Sequence, residues 1–354
     1  MTIDTQAVLA VLRPVQDPEL QKSLVDLNMI RHIKIEGDTV SFTLVLTTPA
    51  CPLREFIVQD CQKAVKQLPG VETVKVDVTA ETPQQKSLPD RNSIAGVKNI
   101  IAVSSGKGGV GKSTIAVNVA VSLAKLGAKV GLLDADIYGP NAPTMLGLTS
   151  ADIRVEQTEK GDILEPAFNH GIKMVSMGFL IDPDQPVVWR GPMLNGIIRQ
   201  FLYQVNWGEL DYLLVDMPPG TGDAQLTLAQ AVPIAGVVIV TTPQTVSLLD
   251  ARRGLKMFEQ LGVNILGIVE NMSYFIPPDL PNVSYDLFGS GGGEKTSQEL
   301  GVPLLGCVPL EIPLREGGDR GIPIVVSNPQ SASALALVAI AQKVAARVSV
   351  AAFA

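Results

Sequence analysis

The stretch Ser104–Thr114 reads Ser-Ser-Gly-Lys-Gly-Gly-Val-Gly-Lys-Ser-Thr and decides how the rest of the chain is interpreted. It fits the pattern G-x-x-x-x-G-K-S/T, a glycine-rich loop whose backbone N–H groups close around a phosphate chain. A short apolar run precedes it at Asn99–Val103, and apolar residues recur at helical spacing after it as far as Lys125. A strand, a glycine loop and a helix N-terminus in this order form an anion site, because the helix dipole adds partial positive charge there.

The overall composition describes a chain that can bury a sizeable core and carries no excess of positive charge. Hydrophobic residues make up 46% of the 354 residues, and the formal net charge is -7. A negative balance argues against nucleic acid as the main partner, because binding to phosphate backbones requires clustered Lys and Arg. The first residues lack a cationic start followed by an apolar core, and no run approaches the length of a membrane span. Since the three cysteines are scattered, we expect a cytoplasmic protein with reduced thiols and no membrane partner.

Two domains separated by a linker are predicted from the changes in periodicity. Residues 1–80 hold two alternating apolar stretches with a helical stretch between them, which predicts a small α+β domain. Residues 81–94 are polar, contain two prolines and lack periodicity, as expected for a linker. In residues 95–354 short apolar runs alternate with helical stretches, and several runs are continuously apolar, as in strands buried on both faces. The predicted fold class of this part is α/β, a mostly parallel, doubly wound sheet.

Acidic side chains follow two of these apolar runs, at positions where phosphate chemistry needs them. Asp134 and Asp136 end one run, and the second of them is expected just past the strand, free to address water or Mg²⁺. Asp216 ends another run, where an acid at the carboxyl end of a buried strand would hold Mg²⁺ while Ser113 supplies a hydroxyl ligand. Lys112 is expected to span the β- and γ-phosphates.

Lys107 directly follows the first glycine of the loop, and this second lysine resembles the K-G-G-x-G-K-S/T loop of the MinD, ParA and nitrogenase-iron-protein class. In that class the extra lysine reaches the nucleotide of the partner subunit, so the resemblance implies a homodimer in which Lys107 acts in trans, as an arginine finger does. It also implies that Asp136 orients the attacking water and that Asn271 pairs with adenine. The candidate catalytic residues are therefore Lys107, Lys112 and Asp136, and the implied reaction is Mg²⁺-dependent ATP hydrolysis. The candidate ATP-binding residues are Gly106, Lys107, Gly108, Gly109, Val110, Gly111, Lys112, Ser113, Thr114 and Asn271.

A fuller set of segments in a fixed order narrows the resemblance to the Mrp/ApbC family of iron–sulfur cluster carrier ATPases. These segments are Trp189–Met193, Leu210–Tyr212, Asp216–Asp223, Thr241–Gln244, Glu270–Tyr274 and Phe288–Gly292. The N-terminal domain is similar to the SufT-like domain of iron–sulfur assembly factors, through Asp17–Leu20, Ser23–Leu27 and Thr47–Pro52. The resemblance implies an ATPase that binds a 4Fe–4S cluster and transfers it to apoproteins, with iron–sulfur assembly factors and those recipients as partners.

The cysteines depart from the family pattern. The family places a C-x-x-C pair after Asn-Met-Ser-Tyr-Phe, whereas Ile276–Asn282 in this chain contains no cysteine. In the SufT-like family the cysteine before the proline is a functional candidate, which is Cys51 here. At a helix N-terminus an exposed thiol has a lowered pKa, so Cys51 is the candidate cluster ligand, with a packing cysteine as the alternative. Cys307 is a weaker candidate, and Cys61 is expected in the core of the small domain.

Two other functions remain open at this point. One is a nucleotide-switched scaffold in iron–sulfur assembly that holds no cluster itself, which the missing C-x-x-C pair suggests. The other is a positioning ATPase of the MinD or ParA type. MinD relatives end in a cationic amphipathic helix, whereas this chain ends Ala-Arg-Val-Ser-Val-Ala-Ala-Phe-Ala, and ParA relatives need a basic surface that the composition does not suggest.

Overall fold

The computed structural model describes residues 3–84, 91–137, 139–149, 154–158, 161–179, 191–280 and 282–353. The chain forms two compact units. The first consists of Met1–Pro83 together with Ala345–Ala354, and the second of Gln84–Val344. The sequence patterns give no indication that the last ten residues belong with the N-terminal unit, because helical periodicity does not reveal the partner of a helix.

The first unit is a small α+β layer. Strands β3 and β4 pair antiparallel, and β4 and β5 pair parallel, so the connection between the latter two crosses over through α2. Alternate residues of β4, such as Val40, Phe42 and Leu44, are buried against the helices. The elements are α1 (Thr5–Leu12), β1 (Gln16–Asp17), β2 (Lys22–Ser23), β3 (Ile30–Glu36), β4 (Thr39–Leu46), α2 (Arg54–Val65) and β5 (Thr73–Ala80).

The second unit is built from alternating strands and helices. Its first elements are β6 (Val97–Ser105), α3 (Lys112–Lys125), β7 (Val130–Asp134), α4 (Ala142–Met145), β8 (Arg154–Thr158), β9 (Gly161–Glu165), β10 (Ala167–Asn169), β11 (Ile172–Ser176) and a 3₁₀ turn (Met177–Phe179). They are followed by α5 (Gly191–Tyr203), β12 (Leu210–Asp216), α6 (Asp223–Ala231), β13 (Ile234–Thr241), α7 (Thr245–Gln260), β14 (Ile265–Phe275), α8 (Gly292–Leu300), β15 (Leu304–Leu310), α9 (Ile312–Arg320), α10 (Ile324–Ser327) and α11 (Ala332–Phe353).

The central sheet has the strand order β10-β11-β7-β12-β6-β13-β14-β15, and every pairing in it is parallel except that of β10 with β11. Every residue of β7 and of β13 is buried, as continuously apolar strands covered on both faces should be. The predicted α/β fold class is confirmed. Register places Asp216 of β12 opposite Asp134 of β7 and Val103 of β6, so the acids meet at the carboxyl edge of the sheet, beside the glycine loop.

Helix α11 is long and apolar enough to cross a membrane by length and composition alone, with a mean hydropathy of 1.6 over its most apolar window. No other helix among the described residues meets that test, and half of the window is buried in the protein. Leu337, Ile340 and Val344 are fully buried. The core helix of a soluble protein has these same properties, so the helix is weak evidence for a membrane span.

Candidate functional site

The glycine loop joins β6 to α3, and its glycines are required by backbone shape and by close neighbours. Gly109 and Gly111 adopt left-handed φ values of 79° and 80°, which favour glycine strongly. A Cβ atom at Gly106 would overlap the backbone of Asp250 and Ala251 in α7. One at Gly111 would overlap the side-chain amide of Asn271. The loop is thus clamped between α7 and the end of β14.

Lys112 is the first residue of α3, and its buried ammonium lies among carboxylates. Its Nζ is 2.6 Å from Oδ1 of Asp216 and 3.5 Å from Oδ2 of Asp136. Burial by itself would lower the pKa of Lys112, but Asp216, Asp136 and Asp134 outweigh it, and the pKa is raised. The lysine is therefore charged and ion-paired at the position where the loop would receive phosphate.

Asp216 has one carboxylate oxygen engaged and one without a partner. Oδ1 accepts from Lys112, whereas Oδ2 is buried and, within the described part of the chain, has no hydrogen-bond partner. An unpaired carboxylate oxygen in a fully buried side chain is costly unless a cation or donor completes it. Ser113 follows Lys112, and its Oγ is 3.5 Å from the Lys112 ammonium. Two hard oxygen donors at this point fit Mg²⁺.

Asp134 is the last residue of β7 and Asp136 lies just beyond it, and their side chains make different contacts. Asp136 faces Lys112, and its carboxylate also accepts from the backbone N–H of Gly139. Asp134 is fully buried behind it and hydrogen-bonded to protein groups. Burial raises the pKa of both carboxyls, and the charge of Asp216 raises them further. The structure therefore brings Lys112, Asp136 and Asp216 together and sets Asp134 apart.

Asn271 reaches the loop from the end of β14. Its Nδ2 donates to the carbonyl of Val110 at 2.9 Å, while its buried Oδ1 has no partner among the described residues. Next to it lies a cavity of about 250 Å³ whose lining includes Thr114, Asn271, Met272, Leu314 and Arg315. The cavity is large enough for the base of a nucleotide whose phosphates rest on the loop.

Lys107 differs from Lys112 in that its amine is not engaged by an acid. Its backbone carbonyl accepts a hydrogen bond from Ser105 Oγ at 2.9 Å, but its ammonium forms no ion pair within the described chain. The side chain is half-exposed at the tip of the loop. A cation held on the surface in this way is available to a group outside its own subunit.

Two buried polar residues near the site, Gln225 and Glu270, make contacts that the sequence patterns did not predict. The Nε2 of Gln225 donates to the carbonyls of Pro218 and Gly220, at 2.7 and 3.1 Å, and holds the turn that follows Asp216. Glu270 accepts from the N–H of Gly293 and anchors the start of α8 beside Asn271. Gln225 lies in no motif, and the motif that contains Glu270 does not indicate this contact, so only the tertiary fold could reveal the two contacts.

The predicted lowering of the Cys51 pKa is wrong. Burial of the half-exposed thiol raises its pKa to about 11, and the carboxylates of Glu19 and Asp17 add to the effect. Helix α2 begins at Arg54, three residues beyond Cys51, which places the thiol outside the first helical turn, where the dipole acts. Cys61 lies in the core of the first unit, as expected.

The remaining cysteine, Cys307, lies in the second unit. Burial raises the pKa of Cys307, and Glu270 adds to the shift. Among the described residues, no group of three or more His, Cys, Asp or Glu side chains could hold a metal ion. Residues 276–280 and 282, which follow the Asn-Met-Ser-Tyr-Phe segment, offer no thiol.

Two family profiles match the chain. The one described as NUBPL iron-transfer P-loop NTPase matches residues 96–345. The one described as iron-sulfur cluster assembly protein matches residues 5–78. Both agree with the resemblances drawn from the sequence motifs.

Individual relatives agree with the profiles. The iron-sulfur cluster carrier protein of Synechocystis sp. is 81% identical over 350 residues, which are 99% of this chain and 99% of that protein. A nucleotide-binding protein from Archaeoglobus fulgidus, solved in complex with ADP, is 41% identical with a TM-score of 0.56, over 64% of this chain and 87% of that chain. The cell division ATPase MinD of Pyrococcus furiosus, 24% identical with a TM-score of 0.51 over 69% of this chain and 97% of that chain, shares the fold.

Proposed function

Because the chain belongs to the NUBPL iron-transfer P-loop NTPase family, we propose that it is an ATP-hydrolysing iron–sulfur cluster carrier. It would act as a homodimer that delivers clusters to recipient apoproteins. The observation that carries the nucleotide part of this proposal is the convergence of Lys112, Asp136 and Asp216 at the glycine loop.

Binding of ATP would begin with an exchange of partners at Lys112. In the structure its ammonium is paired with Asp216. The phosphate chain, enclosed by the N–H groups of residues 106–114, would take over Lys112 and use the α3 dipole. Mg²⁺ held by Ser113 and Asp216 would neutralise charge on the phosphate oxygens. The adenine would occupy the cavity beside Asn271, whose unpaired Oδ1 can accept from the exocyclic amine.

Hydrolysis requires a group that orients water, and Asp136 is suited to this role. Its carboxylate points toward the phosphate-binding lysine and is partly accessible. Lys107, whose amine has no acid partner within its own described chain, would complete the site of the second subunit and offset charge on the leaving phosphates. Two subunits closing face to face would therefore hydrolyse ATP faster than one.

The cluster is the cargo of this cycle, and Cys51 in the domain of residues 1–80 is its candidate ligand. Residues 81–94 would serve as the linker to the ATPase domain, residues 95–354. With a pKa raised to about 11, the Cys51 thiol is protonated at neutral pH, so ligation must release a proton to the solvent. One cysteine from each of two subunits gives two of four thiolates, and thiols from the donor or recipient protein would complete a 4Fe–4S cluster. We place this exchange in the cytoplasm, with assembly factors and apoproteins as partners.

A second function is favoured by the same cysteines. With no thiol in the described residues between 276 and 282 and a protonated Cys51, the chain also fits a nucleotide-switched scaffold that gathers assembly partners without holding a cluster. The two proposals share the ATPase cycle and differ only in whether iron and sulfide stay on this protein.

Anaerobic reconstitution distinguishes them. The full chain, Cys51→Ser and Cys307→Ser would be loaded with iron and sulfide, desalted, and assayed for both elements per dimer. We expect bound iron and sulfide in the wild type and in Cys307→Ser, and their loss in Cys51→Ser. Equal retention in all three would remove Cys51 from the proposal, and no retention in any would favour the scaffold.

A further inference from the structure

We propose that Asp134 is the positioning residue of the Asp136 loop, the segment 135–141 that joins β7 to α4 and of which all but residue 138 are described. Its buried carboxylate would hold Asp136 in the orientation that hydrolysis needs without touching the substrate. The inference rests on the proposed ATP hydrolysis, and its evidence is the hydrogen bonding around one side chain.

One carboxylate fastens both ends of the loop. Oδ1 of Asp134 accepts from the backbone N–H of Asp136 at 3.1 Å, and Oδ2 accepts from the backbone N–H of Ala142 at 3.3 Å. Asp136 lies near the start of the loop and is buried, and Ala142 is the first residue of α4. The loop is therefore closed at its base by a side chain rather than by the backbone alone.

The same carboxylate ties the loop to the neighbouring strand. Ser176, which pairs with Asp134 across the β11–β7 ladder, donates from its Oγ to Oδ2 at 3.0 Å. The Oγ of Ser176 also accepts from the N–H of Gly178 at 3.0 Å, so its own proton is directed to the carboxylate. Both Asp134 and Ser176 are fully buried, and water cannot replace either of them.

The ionised carboxylate suits this position because it has only acceptors, and the hydrogen bonds that it accepts oppose the rise in pKa that burial causes. Three donors point at Asp134: two backbone N–H groups and one hydroxyl. An asparagine would offer a single acceptor oxygen and would turn its NH₂ group toward one of those donors. The geometry also separates Asp134 from the reacting groups, since the ammonium of Lys112 forms ion pairs with Asp216 and Asp136 but not with Asp134.

The consequence is a fixed distance between the water-orienting group and the phosphate site. Asp136 stands 3.5 Å from Lys112 because its own N–H is held from behind. Loosening the base of the loop should therefore disturb the attack on phosphate more than the binding of ATP.

The test compares Asp134→Asn and Ser176→Ala with Asp211→Asn as a matched control. Asp211 is a structural carboxylate at the opposite end of β12, where it accepts from Lys98 Nζ and from the Lys129 N–H, each at 2.9 Å. Asp134→Asn and Asp211→Asn each replace a carboxylate of the same sheet by an amide, and Ser176→Ala removes the hydroxyl that donates to Asp134. Each would be assayed for kcat and for KM with Mg²⁺ and ATP, and each would be examined by amide hydrogen exchange over residues 135–146.

We expect Asp134→Asn to lower kcat by about tenfold or more with KM changed by less than about twofold, as small displacements of a reacting group do. Ser176→Ala should show a smaller fall in kcat, and Asp211→Asn should leave it unchanged. Exchange over residues 135–146 should quicken in Asp134→Asn and not in Asp211→Asn. A fall in kcat that Asp211→Asn shares, a rise in KM alone, or unchanged exchange would overturn the assignment. A wild type that does not hydrolyse ATP would refute the proposed function, and the exchange comparison would then decide on Asp134 by itself.

Discussion

At the scale of single residues, the buried ammonium of Lys112 interacts with several carboxylates. Lys112 pairs with Asp216 and Asp136, and Asp134 lies close enough to raise its pKa as well. Burial raises the pKa of the Asp134 and Asp136 carboxyls, and the negative charge of Asp216 raises both further. The excess of carboxylates in this pocket therefore favours the binding of an added cation as well as of phosphate.

Replacing Lys112 by alanine should remove nucleotide binding and also weaken the fold. Breaking a buried ion pair by removing one partner costs about 3–5 kcal/mol, because the remaining charge is left unpaired. We expect no detectable ATP binding by calorimetry and a lower melting temperature without nucleotide. Lys107→Ala is the control, because it also replaces a lysine by alanine. The amine of Lys107 has no acid partner in the described chain, so ATP binding and the melting temperature should stay near those of the wild type while kcat falls. Equal loss of binding in both variants would contradict this division of roles.

The raised pKa of Cys51 predicts how the thiol reacts with alkylating agents. The folded-state pKa of about 11 exceeds the ordinary value of 9.0, so the fold favours the neutral thiol, and this contribution is lost as pH rises from 9 toward 11. Alkylation by iodoacetamide, followed by mass spectrometry of the native protein, should be slow at pH 7 and rise about tenfold per pH unit up to the pKa.

Glu19→Gln provides the comparison, because the carboxylate of Glu19 is one of the charges that raise the Cys51 pKa. The variant should react faster than the wild type near neutral pH and equally fast once the protein is unfolded in urea. A rate that levels off below pH 8 in the wild type would show that the thiolate is stabilised instead.

At the scale of elements, the loop between β6 and α3 is held in shape by its neighbours. Gly111 has a left-handed φ of 80° and abuts Asn271, whose amide donates to Val110. The β14 end is therefore part of the phosphate-binding element, although about 160 residues separate the two segments in sequence.

Gly111→Ala should weaken nucleotide binding through this contact. A non-glycine residue in the left-handed region costs about 1–2 kcal/mol, and the added methyl must also displace the Asn271 amide. Titration with a fluorescent ADP analogue should show a Kd raised by about tenfold or more. Gly109→Ala is the control, since its φ of 79° imposes the same backbone strain but its Cβ would meet no atom within 4 Å. Equal losses in the two variants would show that strain alone accounts for the effect.

The parts of the site that could be predicted from the sequence are those marked by short sequence motifs. The apolar run, the glycines and the terminal acid of β12 predicted that Asp216 ends next to the strand of the glycine loop, because parallel strands end together, but they did not predict the ion pair of Lys112 with Asp216. The sequence did not predict the hydrogen bond by which Gln225 holds the turn after Asp216. It also did not predict the burial that raises the pKa of Cys51 instead of lowering it. Those depend on which side chains fold over a site, and no spacing in the chain encodes that.

At the scale of the whole molecule, the half-exposed Lys107 predicts nucleotide-dependent association. Asp136→Ala should bind ATP but hydrolyse it slowly, and so accumulate as a dimer in analytical ultracentrifugation with Mg²⁺ and ATP. Adding Lys107→Ala to that variant should return it to monomer, because the cation offered to the second site is gone. A dimer that persists without nucleotide, or one that survives the loss of Lys107, would contradict association through this loop.

The acids clustered around Lys112 predict that the binding of nucleotide is coupled to the uptake of protons. When phosphate takes Lys112 away, Asp136 and Asp134 lose a positive charge that lowers their pKa, so the pKa of both carboxyls must rise further. Nucleotide that arrives without a divalent ion should therefore draw protons from the buffer, whereas nucleotide that arrives with Mg²⁺ should draw fewer. Calorimetric titrations in buffers of different ionisation enthalpy would measure the difference. Nucleotide binding by this protein would then depend on the pH of the surrounding solution.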